Sequence, residues 1–131
     1  MGSRMAKRSI SQLLLGFWLP AVLCAALVLF VGSRPNLKPP LSFTNSDKLA
    51  HITEYLLLGL MLTRAVRASG PAPLPAALVA VSLGILVGTT DELTQAHVPG
   101  RSCSGFDLLA DAFGLALAPL AIRAFTRARE A

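Results

Sequence analysis

Nearly all side chains of this chain that could do acid–base or metal chemistry fall in three short stretches. Asp47, His51 and Glu54 stand at i, i+4 and i+7, with Tyr55 beside them. On a helix that spacing puts the first three on one face, and at 1.5 Å per residue Glu54 lies about 10 Å along the axis from Asp47. Asp91 and Gln95 are i, i+4 neighbours with Glu92 adjacent, and Asp107, Asp111 and Gly114 share a third face. Of the seven acidic residues only Glu130 lies elsewhere. A histidine between two carboxylates, such as His51 between Asp47 and Glu54, suits an oriented acid/base or a metal ligand. Carboxylates gathered at one level suit general acid/base work or a divalent cation held through oxygen, with Glu54, Asp91, Glu92, Asp107 and Asp111 as the candidate ligands.

Plainer readings stand beside these. Asp47 and Asp107 fall in first turns, where a carboxylate suits the helix dipole, and Ser104-x-x-Asp107 resembles a capping box. Tyr55 could be an interfacial anchor, His97 a loop residue, and Gly84-x-x-x-Gly88 a close-packing face between helices. Asp91 and Glu92 resist such a reading. They approach the C-terminus of their helix, where the dipole disfavours negative charge, so Lys48, Arg101 or a bound cation is expected to offset them.

The elements that must position these residues are apolar. Hydrophobic residues make up 53% of the 131 and charged residues only 15%, with a mean hydropathy of +0.61; a soluble domain of this size needs a more polar surface. Four helices are predicted, over Ile10–Val31 with a kink at Pro20, Asp47–Val66, Leu74–Ala96 and Gly105–Phe125, the last containing Pro119. The Pro-rich stretch from Ser33 to Ser46, the turn from Ala68 to Pro73 and the segment from His97 to Ser104 connect them, so the breakers fall between the apolar runs. Each run approaches the roughly 20 residues that cross a bilayer. The fold class is therefore an all-α membrane protein, a four-helix transmembrane bundle over residues 10–127. Residues 1–9 form an N-terminal segment in which Met5 is a second candidate start after tag-like residues, and residues 128–131 form a tail. Arg4, Lys7 and Arg8 before Leu13–Val31 resemble a signal peptide, but the length of the run and the Ser33-Arg34-Pro35 that follows favour an uncleaved first helix.

Three polar helix faces at one depth of a bilayer must face one another. Basic residues set the orientation. Of the twelve Lys and Arg, Arg4, Lys7, Arg8, Arg64, Arg67, Arg123, Arg127 and Arg129 fall at one end, and Arg34, Lys38, Lys48 and Arg101 at the other. Eight against four places both termini in the cytoplasm and the acidic cluster outside. The net charge of +5 is explained by that bias; with no basic stripe and no interleaved aromatics, nucleic acid is not expected as a partner. Cys24 and Cys103 lie at different depths and are not expected to pair.

Asp47-Lys48-x-x-His51-x-x-x-Tyr55, then Asp91-Glu92-x-x-Gln95, Pro99-x-Arg101 and Asp107-x-x-x-Asp111-x-x-Gly114 together resemble the motif series of VanZ-like membrane proteins, over residues 47 to 114. The position of Asp111 is commonly Asn in that family. The resemblance implies a bacterial cytoplasmic-membrane protein of the cell envelope, in a family named for resistance to the glycopeptide teicoplanin. It implies a fold and a pocket and leaves the reaction open.

On that footing the expected ligand is an amphiphilic envelope substrate at the outer leaflet, a lipid-linked phosphate or glycan. Arg101 and Lys48 would hold an anionic headgroup, the planar guanidinium suiting phosphate, with Tyr55, Gln95 and Asp111 also contacting substrate. Asp91, Glu92, Asp107 and Asp111 would supply acid/base groups or bind a divalent cation, and His51, oriented by Asp47 or Glu54, would shuttle a proton. The alternative is a non-enzymatic protein that binds an envelope lipid or modulates a membrane partner. Ion conduction fits less well, because the helix halves from Leu56 to Leu62 and Leu115 to Ile122 are apolar. Gly84 and Gly88 permit a dimer without requiring one.

Overall fold

Apolar runs bounded by proline, glycine and asparagine form four helices in the computed structural model, which describes residues 8–38 and 42–131. They are α1 (Ile10–Gly32), α2 (Ser46–Ala68), α3 (Pro73–Gln95) and α4 (Gly105–Glu130), each long and apolar enough to cross a membrane. There is no strand among the described residues. The helices start and end close to where the sequence predicts, except that α4 runs five residues beyond Phe125. Nothing after Phe125 breaks a helix, and the Arg129 guanidinium lies over the Phe125 ring, 4.6 Å from its centroid. Arg4 and Lys7, counted in the orientation above, lie outside the described residues, as do residues 39–41 of the first connection.

Local chemistry sets the ends. Ser9 caps α1 through a reciprocal pair with Gln12, at 3.2 Å to the Gln12 amide and 3.0 Å back from the Gln12 side chain. The expected disturbance at Pro20 takes the form of a π-helical turn over Leu14–Trp18, where the Leu19 amide bonds to the Leu14 carbonyl. Proline has no amide for the Gly16 carbonyl and crowds it, and a widened turn accommodates both. Asn45, at φ 63°, leads into α2, and Pro73 occupies the first position of α3, where no amide hydrogen is needed.

The packing inverts that of a soluble protein. Large apolar side chains such as Leu23, Leu27, Leu78, Leu86, Phe113 and Leu120 point outward, while His51, Asp91, Glu92, Gln95, Asp107 and Asp111 are buried. Polar groups lie inside and apolar groups outside, the distribution a hydrocarbon solvent selects. Small residues allow the helices to meet. On α3 Ala76, Ala80, Gly84 and Gly88 recur every fourth position and are buried; Leu115 of α4 lies over Gly84. The most extensive packing joins α2 to α4. Gly59 of α2 faces Ala118 and Leu115, so that a Cβ there would come within 2.8 Å of the Ala118 methyl, and a Cβ on Gly114 of α4 would strike the Ile52 carbonyl oxygen and stand 2.9 Å from the Leu56 amide. At the opposite end from the acids, the Trp18 indole N–H donates to Ser69 Oγ at 3.1 Å and ties α1 to the end of α2.

Because backbone cannot give way as a side chain does, Gly114→Ala is expected to destabilise the bundle by about 1–3 kcal/mol. Gly16→Ala, with nothing within 4 Å of the added carbon, is expected to be neutral or slightly stabilising. Unfolding by sodium dodecyl sulfate titration of the two purified variants checks both; equal midpoints would show that the α2–α4 approach is looser than described.

Candidate functional site

The end of α1, the first turns of α2, the last turn of α3 and the start of α4 converge at the acidic end, together with the connections that carry Lys38 and Arg101. Between them lies a cavity of about 200 Å³, lined by Gly32, Lys38, Asp47, His51, Glu54, Asp91, Gln95, Arg101 and Asp107 among others. Liquid water occupies about 30 Å³ per molecule, so the space suits several waters or one headgroup-sized group.

The contact at Gly114 decides what His51 touches. Ile52 is the residue against Gly114, and the adjacent His51 meets Asp111, one turn earlier on α4. His51 Nδ1 donates to Asp111 Oδ1 at 2.7 Å, with both residues buried. The sequence suggests Asp47 or Glu54 as the partner of His51; the structure gives Asp111 instead, because residues on one helix face stack along the axis while Asp111 approaches head-on from α4. A proton held on Nδ1 leaves the lone pair on Nε2. Tyr55 is fully buried and stacks near-parallel with His51, with ring centroids 6.5 Å apart, so it is a core residue and no interfacial anchor.

Lys48 bridges the mouth, bonding Asp47 Oδ2 at 2.6 Å and also Asp107 Oδ1. It is therefore not the partner of Asp91 and Glu92. Their stabilisation comes from hydrogen bonds. Gln95 Nε2 donates to Asp91 Oδ2 at 2.9 Å, and the Ser104 amide donates to Glu92 Oε2 at 2.7 Å. Ser104 is the N-cap of α4, so Glu92, misplaced for the dipole of its own helix, sits at the favourable end of the next. The same bond leaves the capping box half formed. The Asp107 amide reaches Ser104 Oγ at 3.4 Å, but the Ser104 amide serves Glu92, and the Asp107 carboxylate serves Lys48.

Each of the three deepest carboxylates uses one oxygen and keeps another. Asp91 Oδ1, Glu92 Oε1 and Asp111 Oδ2 are buried without a hydrogen-bond partner, as are Tyr55 Oη and one guanidinium nitrogen of Arg101, Nη1. An unsatisfied buried polar atom costs about 1–3 kcal/mol, more when charged, so five in one region mark a place built to meet something else.

Features that the sequence reading did not single out complete the enclosure. Gly32 is in contact with Asp91 Oδ1, leaving no room for a Cβ; its only sequence signal is a glycine ending the first apolar run. The Asn36 amide bonds to the Pro99 carbonyl at 3.3 Å, and the Asn36 side chain lies against Gly100, at φ 76°. The connection after α1 thus pins the loop that carries Arg101. Gly84 and Gly88 are a packing face as expected, and Gly88 also makes room for Asp111 Oδ2 and the Tyr55 ring, 3.1 and 3.2 Å from where its Cβ would stand. His97 is exposed and bonds only to the Leu93 carbonyl of its own helix end, at 2.8 Å, outside the cluster. Cys24 and Cys103 are free.

If Asp111 serves to hold the His51 N–H, an amide oxygen can replace the carboxylate. Asp111→Asn is expected to fold with near wild-type stability, whereas Asp111→Leu, which strands that N–H, is expected to lose about 1–3 kcal/mol in the same detergent titration. Equal losses in both would mean that the negative charge, and not the hydrogen bond, is what His51 requires.

No curated protein and no solved structure matches the chain at a significant level. The family model described as VanZ/LLP1 matches residues 17–126, a span that takes in most of α1, all of α2 and α3, and α4 as far as Thr126. With the acidic cluster and its supporting glycines inside that match, the chain belongs to the VanZ/LLP1 family of membrane proteins.

Proposed function

We propose that the cavity receives the headgroup of an amphiphilic lipid-linked phosphate or glycan of the bacterial cell envelope and presents it to acid/base groups. The observation that carries this reading is the buried, unpartnered Nη1 of Arg101 at a cavity also lined by Asp91, whose Oδ1 is likewise unpartnered. A guanidinium nitrogen kept from water and without a hydrogen-bond partner suits an incoming anion, and the planar fork fits phosphate. Lys48, held between Asp47 and Asp107 at the mouth, would add positive charge on approach. His51, fixed by Asp111, would move a proton through Nε2, with Asp91 or Glu92 as its acid/base counterpart.

Access follows from the position of the site. The cavity lies at the end of the bundle, with Leu37 and Lys38 exposed at its rim, so acyl chains could remain in the bilayer while the headgroup turns inward. The basic residues favour cytoplasmic termini and an outer-leaflet site in the bacterial inner membrane. Farther in, the bundle is filled by Leu58, Leu62 and Leu115, all buried, which favours a headgroup site over a conducting path. A contribution to teicoplanin resistance is the corresponding proposal at the level of the cell, on family membership alone.

Native mass spectrometry of the protein released gently from its own membranes tests the reading. The wild type is expected to carry a lipid-phosphate adduct. Arg101→Ala, losing a charge-assisted contact of about 1.5–3 kcal/mol, should bind it some 10- to 100-fold less, and Asp91→Asn should also lose occupancy. An adduct equal in all three proteins, or absent from all, would reject the proposal. An adduct retained by the wild type without conversion on prolonged incubation would remove the reaction and leave a binding protein.

A further inference from the structure

We infer that His51, Glu92 and Asp107 form a divalent transition-metal site of the Zn²⁺ or Mn²⁺ type, with its open coordination positions facing the cavity. One ring nitrogen of His51 and one carboxylate oxygen each of Glu92 and Asp107 lie within 4.8 Å of one another. The three come from α2, the end of α3 and the start of α4, so no single helix creates the cluster. Metal bonds of about 2.0–2.2 Å hold neighbouring ligand atoms roughly 3–4 Å apart, and small side-chain adjustments suffice to reach that spacing.

Observations beyond the cluster itself point to a cation. Glu92 is only 3% exposed and its Oε1 has no partner, although its other oxygen is anchored by the Ser104 amide. A buried carboxylate oxygen left without a donor calls for a cation or a proton. His51 also has the support typical of a metal-bound imidazole. Asp111 holds Nδ1 at 2.7 Å, which fixes the ring and leaves the Nε2 lone pair as donor. Lys48 takes one oxygen of Asp107, and the carboxylate retains a second for the ion.

The ligand set selects the ion. One imidazole nitrogen with two carboxylates suits Zn²⁺ or Mn²⁺ better than Ca²⁺ or Mg²⁺, which prefer oxygen alone. Three protein ligands leave at least one position for water or substrate, as in catalytic and not in closed structural sites. His51, Asp107 and Arg101 all line the cavity, so that it would offer an anionic headgroup both a metal and a guanidinium. The cation site stands on the side-chain geometry alone and holds whatever the headgroup proves to be.

The test is equilibrium dialysis of the purified, chelator-stripped protein in mild detergent, without added lipid, against ZnCl₂ and MnCl₂, with MgCl₂ for comparison. The wild type is expected to bind one Zn²⁺ or Mn²⁺ per chain, more tightly than Mg²⁺. His51→Ala and Glu92→Gln should lose that binding, and Asp111→Leu, which removes the support of the imidazole and leaves the three ligands in place, should weaken it about 10- to 100-fold. His97→Ala, at an exposed loop, should bind as the wild type does. Circular dichroism and gel filtration identify the folded variants; if His51→Ala does not fold, Glu92→Gln decides. Absence of binding to the wild type, binding unchanged in the folded His51 or Glu92 variants, or binding lost in His97→Ala would overturn the site.

Discussion

The backbone contact between α2 and α4 at Gly114 governs the acidic end of the molecule. With hydrogen as its side chain, Gly114 lets α4 lie directly on the Ile52 carbonyl, and Gly59 repeats the device two turns along α2 against Leu115 and Ala118. Lipid surrounding the helices is as apolar as leucine, so close packing of small residues supplies association that the hydrophobic effect does not. At this separation His51 and Asp111 reach hydrogen-bonding distance. A wider crossing would leave an imidazole and a carboxylate, each buried, without each other.

The same small-residue stripes lead into the polar cluster. On α3 the buried positions run through Ala76, Ala80, Gly84 and Gly88 and then become Asp91, Glu92 and Gln95. On α4 they run in the opposite direction, from Asp107 and Asp111 to Gly114 and Ala118. Antiparallel neighbours whose stripes change character at the same level gather the acids at one end and close packing below it. The apolar part holds the helices together, and the polar part depends on that closeness for its hydrogen bonds.

Electrostatics at the acidic end is settled between helices. Glu92 is at the wrong end of α3 for the dipole and at the right end of α4, whose Ser104 amide it accepts. Lys48 connects Asp47 with Asp107 across two helix starts. What stays unmatched is specific: single oxygens of Asp91, Glu92 and Asp111, the Tyr55 hydroxyl and a guanidinium nitrogen of Arg101. Groups of both charge signs are left over in one region, the pattern of a site that completes itself with a ligand carrying or bridging both signs.

The sequence alone determines the helices and the depth of the acids, because both depend on local properties. Hydropathy over some 20 residues, and prolines and glycines between the runs, give four spans in the right places, and i, i+4 spacing puts the polar residues on single faces. Three such faces at one level must meet in a membrane, so the cluster is legible before any coordinate is known. Only the tertiary structure decides who bonds to whom. Asp111 and not Asp47 or Glu54 holds His51, since partners across helices depend on axial separation and rotation, which Gly114 sets through contact with a distant backbone. Ser104 and not Lys48 or Arg101 offsets Glu92, through an amide that no side-chain pattern reveals. Gly32 and Asn36 enclose Asp91 and fix the Arg101 loop from 50 or more residues away in sequence, roughly, a separation at which composition and periodicity carry no information about contact.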